Sequence, residues 1–175
     1  AYGYDANGNM GYDPVGDLFI RYNLLNLPSV IRGAYDRRIY YRYLSDGTKL
    51  SLGLSSSTAT QRYIGSLVYD NGKFESASFG GGRLVGTNNG TDSEAHYFVT
   101  DHLGSTRVVA KVTASGREDL DRKDYYPFGK AWKQPDMPTS GNRYTFSGKE
   151  QQRAGLASTK LLDFGARFYD PDGVT

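Results

Sequence analysis

The segment that comes nearest to a catalytic pattern is Asp101-His102-Leu103-Gly104-Ser105, an acid, an imidazole and a hydroxyl in one short run. A nucleophilic triad needs the acid to orient the imidazole and the imidazole to reach the hydroxyl. Neighbouring strand residues point to opposite faces, so Asp101 cannot orient His102 locally. The run therefore reads as a turn shaped by Asp101 and Gly104. His96 and His102 are the only histidines, and there is no cysteine. Along a straight strand they stand roughly 20 Å apart, against zinc bonds of about 2 Å. A hairpin would bring them together, but no other soft ligand is at hand, so no metal is expected. Asp5-Ala6-Asn7-Gly8-Asn9 opens like a calcium loop. Met10 then stands where that loop needs glycine, and Gly16 where it needs a bidentate glutamate, so this too reads as a turn.

Paired carboxylates can hydrolyse glycosides, yet nothing in the order of the 19 acidic residues selects a pair. No phosphate-cradling or dinucleotide-binding loop is present. Asn89-Gly90-Thr91 fits a glycosylation sequon without further support. Arg32, Arg37, Arg38 and Arg42 interleave with Tyr35, Tyr40, Tyr41 and Tyr43. Cations between aromatic rings can grip single-stranded nucleic acid or line a sugar site, and they can equally be a solvated strand face with guanidinium stacked on tyrosine. A net charge of +2 favours the second and gives no pull toward nucleic acid. Tyr40, Tyr41, Arg42 and Tyr43 are the residues that would face a ligand, a cell-surface glycan being the candidate. No catalytic residue, metal ligand or cofactor contact is assigned.

The elements that must position these residues are strands. The chain has 175 residues, with 15 Tyr, 8 Phe and 22 Gly, and 38% hydrophobic residues. Tyr and Phe suit pleated, half-buried surfaces. Glycines fall between apolar runs, where they supply turns. Asp5-Ala6-Asn7-Gly8-Asn9, Ser45-Asp46-Gly47, Asp70-Asn71-Gly72 and Ala114-Ser115-Gly116 are hairpin signals. The clearest hairpin joins Tyr63–Tyr69 to Lys73–Phe79. Alternation in Arg38–Tyr43 puts Ile39, Tyr41 and Tyr43 on one face. In Thr106–Val112 it groups Val108, Ala110 and Val112, and in Leu162–Tyr169 it groups Leu162, Phe164, Ala166 and Phe168. Thr87–Ser93 and Pro135–Gly141 read as loops. At most one helical turn is expected, in Lys149–Ala157. No apolar run reaches membrane-spanning length. Tyr-Asp followed by Gly recurs as Tyr4-Asp5, Tyr12-Asp13, Tyr69-Asp70 and Tyr169-Asp170, a weak internal repeat.

Four segments carry a family resemblance. Tyr4-Asp5-Ala6-Asn7-Gly8-Asn9-Met10 resembles the opening of a YD repeat, and Tyr22-Asn23-Leu24-Leu25-Asn26-Leu27-Pro28 its extended form in wall-associated proteins. Asp101-His102-Leu103-Gly104-Ser105-Thr106-Arg107, followed by Tyr125-Tyr126-Pro127-Phe128-Gly129, resembles the Rhs repeat-associated core. Arg143-Tyr144-Thr145-Phe146-Ser147-Gly148-Lys149-Glu150, with Gly165-Ala166-Arg167-Phe168-Tyr169-Asp170-Pro171, resembles the end of that core. The chain thus resembles the Rhs/YD-repeat family along nearly its whole length.

The resemblance implies a strip of β-hairpins spiralling into a hollow shell around a C-terminal toxin or exported effector. It also implies bacterial extracellular or cell-envelope localisation. The family's self-cleaving segment uses aspartates just past the Tyr-Asp-Pro motif. Here the sequence stops at Asp172-Gly173-Val174-Thr175, so self-cleavage does not carry over. The expected fold is all-β, consecutive antiparallel hairpins forming a curved, twisted strip with little or no helix. It divides into YD-like hairpins over 1–86, a loop over 87–94 and core-associated hairpins over 95–175. The expected function is a non-catalytic shell segment partnered by the rest of a parent chain and its cargo. Open strand edges add a route to homo-oligomers. A glycan-binding module, and more remotely a protease or glycosidase, are the alternatives.

Overall fold

The computed structural model describes residues 1–55, 58–132, 140–152 and 161–173. Strands β1 Gly3–Tyr4, β2 Met10–Asp13, β3 Leu18–Tyr22, β4 Pro28–Arg32, β5 Arg38–Tyr43, β6 Lys49–Gly53 and β7 Gln61–Ile64 open the chain. They continue with β8 Leu67–Asp70, β9 Lys73–Phe79, β10 Gly82–Thr87, β11 Asp92–Thr100, β12 Thr106–Thr113 and β13 Gly116–Arg122. These form one 13-stranded antiparallel sheet in which every strand lies beside its neighbour in sequence. A two-stranded ribbon follows, β14 Asp124–Tyr125 with β15 Ala131–Trp132. Three short strands, β16 Glu150–Gln151, β17 Leu162–Asp163 and β18 Phe168–Tyr169, make a separate sheet. Helical structure among the described residues is confined to single 3₁₀ turns. None is long and apolar enough to cross a membrane.

One turn recurs throughout. The N–H of its first residue donates to the carbonyl four residues on, and the N–H of its fourth residue donates back to the first carbonyl. It begins at Asp5, Asn23, Leu44, Asp101, Tyr126 and Thr145. The fourth position always holds positive φ: Gly8, Asn26, Gly47, Gly104, Gly129 and Gly148. Glycine and asparagine are the residues that reach this region at least cost. At Asp5, Asn23 and Asp101 the side chain also accepts the amides two and four residues on, at 2.9 to 3.0 Å. Of the Tyr-Asp pairs, Tyr4-Asp5 takes this form, its carboxylate and Gly8 together closing the hairpin. A register shift adjoins the turns at Asp5, Asn23, Leu44 and Asp101. Such bulges increase local twist and bend the strip.

The inner face carries the core. Ile20, Ile31 and Ile39 stand directly opposite one another across β3, β4 and β5. Leu18, Tyr41 and Leu52 extend the cluster, and Leu161 from the C-terminal segment completes it. Phe168 of β18 meets the Tyr41 ring edge-on at 5.4 Å. The small C-terminal sheet therefore caps the core-bearing face of β3–β6. Each fully buried isoleucine contributes about 1.5–3 kcal/mol here.

Several expectations are corrected. Tyr63–Tyr69 is two strands, because Gly65 takes φ +58 and Ile64 pairs with Leu67. Leu162–Tyr169 is a tight hairpin, folded where Gly165 takes φ +84 and Phe164 N–H bonds the Arg167 carbonyl. In Thr106–Val112 burial does not follow the alternation: β12 itself is continuous, the extra residue of the ladder being Leu120 on β13, and the neighbours Val109 and Ala110 are both buried. Val109 is 1% exposed and Val112 71%. The loop at Thr87–Ser93 shrinks to Asn88–Gly90 and Thr91, since β10 ends at Thr87 and β11 starts at Asp92. Lys149–Ala157 has no helical turn within its described part; Glu150–Gln151 is strand, and 153–157 lie outside the described residues. Most of Pro135–Gly141 also lies outside them. The expected face of Arg38–Tyr43 holds, with Ile39 and Tyr41 buried and Tyr43 half-buried.

Candidate functional site

Between the strip and its C-terminal cap lies a buried network of charges. Lys49 enters from β6 at the register shift beside Tyr43. Its Nζ is 2.7 Å from Glu150 Oε2 on β16 and 2.7 Å from Asp163 Oδ2 on β17. The three side chains are 13%, 8% and 12% exposed. Glu150 is in turn reached by the Tyr63 hydroxyl at 3.0 Å and by Arg143 at 3.6 Å. Arg143 donates to Glu75 Oε2 at 3.0 Å, and Glu75 lies 3.6 Å from Arg83, the most deeply buried cation of the set. The Thr145–Lys149 turn places Arg143 and Glu150 on adjoining legs, with Tyr144 bridged to Glu150 and Gln151 N–H bonded to the Arg143 carbonyl. Three cations thus meet three carboxylates, buried except at Glu75, which is 24% exposed.

The electrostatics follow from this pairing. Burial pushes the Glu150 carboxyl up, but Lys49 and Arg143 overcome that and hold it below the ordinary glutamate range. Burial pulls the Lys49 ammonium down, and Glu150 and Asp163 more than reverse it. Tyr63 and Tyr41 hydroxyls are pushed up, mainly by burial. Glu150 and Lys49 are therefore both charged at neutral pH. Glu150 contributes stability fully present above its unfolded pKa of about 4.3 and lost as pH falls through the lower folded value. As a free ammonium, Lys49 contributes stability present below about 10.4 and lost as pH rises through its higher folded value. Urea midpoints are expected to be flat across neutral pH and to fall on the acid side. Glu150→Gln is expected to shallow that acid limb, and an unchanged limb would remove Glu150 from it.

The sequence-selected residues lie elsewhere, in the turns. Tyr4 is exposed beside the Asp5–Asn9 turn, and Asn9 donates to Asp5 Oδ2 and to Asn26 Oδ1 of the next hairpin. Leu27 and Pro28 are buried. Asp101 and Gly104 shape their turn, while His102 and Leu103 are exposed. Ser105 is wholly buried, its Oγ accepting the Ser147 N–H at 3.0 Å, so hydroxyl and imidazole do not come together. Arg107 pairs with Asp124. Tyr126, Pro127 and Phe128 are exposed on the turn ending at the buried Gly129, and Gly148 closes the turn below. Gly165, Ala166 and Arg167 form the exposed β17–β18 turn. Tyr169 Oη donates to the Phe128 carbonyl at 2.8 Å, Asp170 accepts the Asp172 N–H at 2.9 Å, and Pro171 is buried. His96 is buried against Glu94. No cluster of three metal-ligating side chains exists among the described residues.

The row Tyr40 to Tyr43 is corrected, because it does not share a face. Tyr41 is 5% exposed in the core, and Tyr43 turns the same way with its hydroxyl on the Pro28 carbonyl. Tyr40 faces the opposite side, where it lines a groove of about 560 Å³ with Phe19, Arg32 and Arg38. One face of Phe19 is already covered by Arg32 at 4.2 Å, and its ring packs on Tyr12. Sequence reasoning missed Lys49, Glu75 and Arg83. Arg143 and Glu150 stood at the ends of a quoted motif, and their charges were the available signal.

No family model and no curated protein matches this chain. Solved structures do. The crystal structure of TcdB2-TccC3-TEV matches with a TM-score of 0.70 at 21% identity, over 96% of this chain and 9% of that one. TcdB2-TccC3 without its hypervariable C-terminal region gives 0.69 at 20%, over the same shares. A Photorhabdus luminescens Tc holotoxin pore with a substituted TccC3 gives 0.68 at 20%, again over 96% and 9%. At this identity the likeness establishes the fold, and the chain spans about 9% of the length of those it matches.

Proposed function

We propose that this chain is a wall segment of an Rhs/YD-repeat shell that encloses or presents a C-terminal toxin or effector, acting by architecture and not by catalysis. The observation that carries this reading is the unbroken order of strands β1 to β13, joined by repeated turns and capped on its core-bearing face by the chain's own C-terminal sheet. Such a strip hydrogen-bonds sideways and propagates without closing on itself. Likeness over 96% of the chain to parts of toxin complexes supports it. Its partners are then the remainder of a longer chain and its cargo, in an extracellular or cell-envelope setting. The test is protease protection in the full polypeptide that carries this segment. The following domain is expected to resist cleavage until the shell is denatured. Cleavage as fast as in the isolated domain would remove the container role.

The outer strands β1 and β13 also leave edges along which a second copy can pair. Light scattering over a dilution series is expected to show mass rising with concentration, and a monomer at every concentration would contradict this.

A further inference from the structure

The Lys49–Asp163–Glu150 cluster has the geometry of a self-condensing amide site, and we propose that Lys49 Nζ and Asp163 Cγ join in an intramolecular isopeptide bond. The amine lies 2.7 Å from the carboxylate it would attack and 2.7 Å from a second carboxylate able to carry its protons. All three groups are withdrawn from water, and the Tyr63 ring covers the ammonium at 4.4 Å. Holding the reacting groups in contact removes most of the entropic barrier of an amine–acid condensation.

The surroundings assign the roles. Asp163 Oδ1 accepts the Gly165 N–H at 2.8 Å, so a fixed donor meets the oxygen that becomes negative in the tetrahedral intermediate. Asp163 Oδ2, on Lys49, is the leaving oxygen. Glu150 is held by Tyr63, Arg143 and Gln152 besides Lys49, which fits it to relay protons and not to be consumed. Glu150 Oε2 takes a proton from Nζ and passes it to Oδ2, so that a neutral amine faces a neutral acid, and Nζ then attacks Cγ. Two protons of the ammonium pass in turn through Glu150 to Oδ2. The Cγ–Oδ2 bond breaks, water leaves, and Glu150 regains its starting charge. One ammonium and one carboxylate become one neutral amide and one water.

Two physical reasons favour the product. A buried ion pair carries the desolvation penalty of both charges, which an amide relieves. Once the Lys49 charge is gone, Arg143 still compensates Glu150, so no carboxylate is stranded. The bond would staple β6 to β17 across 114 residues of chain and fasten the cap to the wall.

Intact mass spectrometry of the denatured chain tests this directly. The expected mass is lighter than the sequence by one water, and digestion is expected to release a branched peptide joining the Lys49 and Asp163 segments. Lys49→Arg and Asp163→Ala are expected to restore the full mass, and Glu150→Gln to slow the loss by at least tenfold during refolding. The wild-type chain alone decides the matter if a variant fails to fold. A full wild-type mass overturns the proposal. So does a water loss found as a cyclic imide at Asp46 or Asp172, each followed by glycine, beside an unmodified Lys49 peptide.

Discussion

Gly129→Val is expected to destabilise the protein by about 3–5 kcal/mol, from backbone strain and overpacking combined. Gly129 closes the Tyr126–Lys130 turn at φ +86 and is buried. A Cβ there would stand 2.5 Å from Phe146 Cδ1 and 2.6 Å from Cγ, inside any tolerable contact. Phe146, half-buried, would have to shift as a whole ring. It packs on Tyr125 at 5.8 Å and belongs to the Thr145–Lys149 turn that positions Arg143 and Glu150. Gly104→Val is the matched control. Its φ is +79, yet a Cβ would meet nothing within 4 Å. It should cost only the left-handed strain, about 1–2 kcal/mol. Urea unfolding of the two variants separates conformation from contact. Equal losses would mean that Phe146 does not limit Gly129.

Arg143→Leu is expected to cost about 3–5 kcal/mol, because it strips the shared cation from the buried Glu150 and the half-buried Glu75. Glu75 would keep Arg83 at 3.6 Å and the Ser76 hydroxyl, and Glu150 would keep Lys49 and its neutral donors. The penalty comes from the stranded charges and not from the lost attraction alone. Glu75→Gln in the Arg143→Leu background should therefore recover part of the loss, a coupling that a double-mutant cycle reads directly. Loss below about 1 kcal/mol, the range of an exposed pair, would show that the seam is wet. Loss with no recovery in the double variant would place the effect in packing of the arginine stem.

Turn chemistry was the most legible feature. Asp5 with Gly8 and Asp101 with Gly104 close their hairpins through bonds spanning at most four residues, so neighbours in the chain suffice to specify them. Alternation in Arg38–Tyr43 was readable for the same reason: side-chain direction in a strand is a local property. The hairpin at Gly165 was not legible, because it interrupts a run whose apolar residues also alternate, and the one at Gly65 because a single Gly-Ser pair sits inside a continuous apolar run. Val109 and Val112 were misread because burial along β12 depends on what covers each face: Val109 and Ala110 are both buried, and Val112 stands exposed beside the Thr113–Gly116 turn.

By itself, the sequence determined the class and the local form: tyrosine-rich strands, Asx and glycine corners, and consecutive hairpins without helices. Only the tertiary structure decided where the charges meet. Lys49 finds Glu150 and Asp163 across 101 and 114 residues, and nothing in the local pattern marks such a pair. Backbone turns are set by energies acting over a few bonds. Buried ion pairs are set by which surfaces fold against each other, and that is known only when the C-terminal sheet has closed on the core-bearing face of the strip.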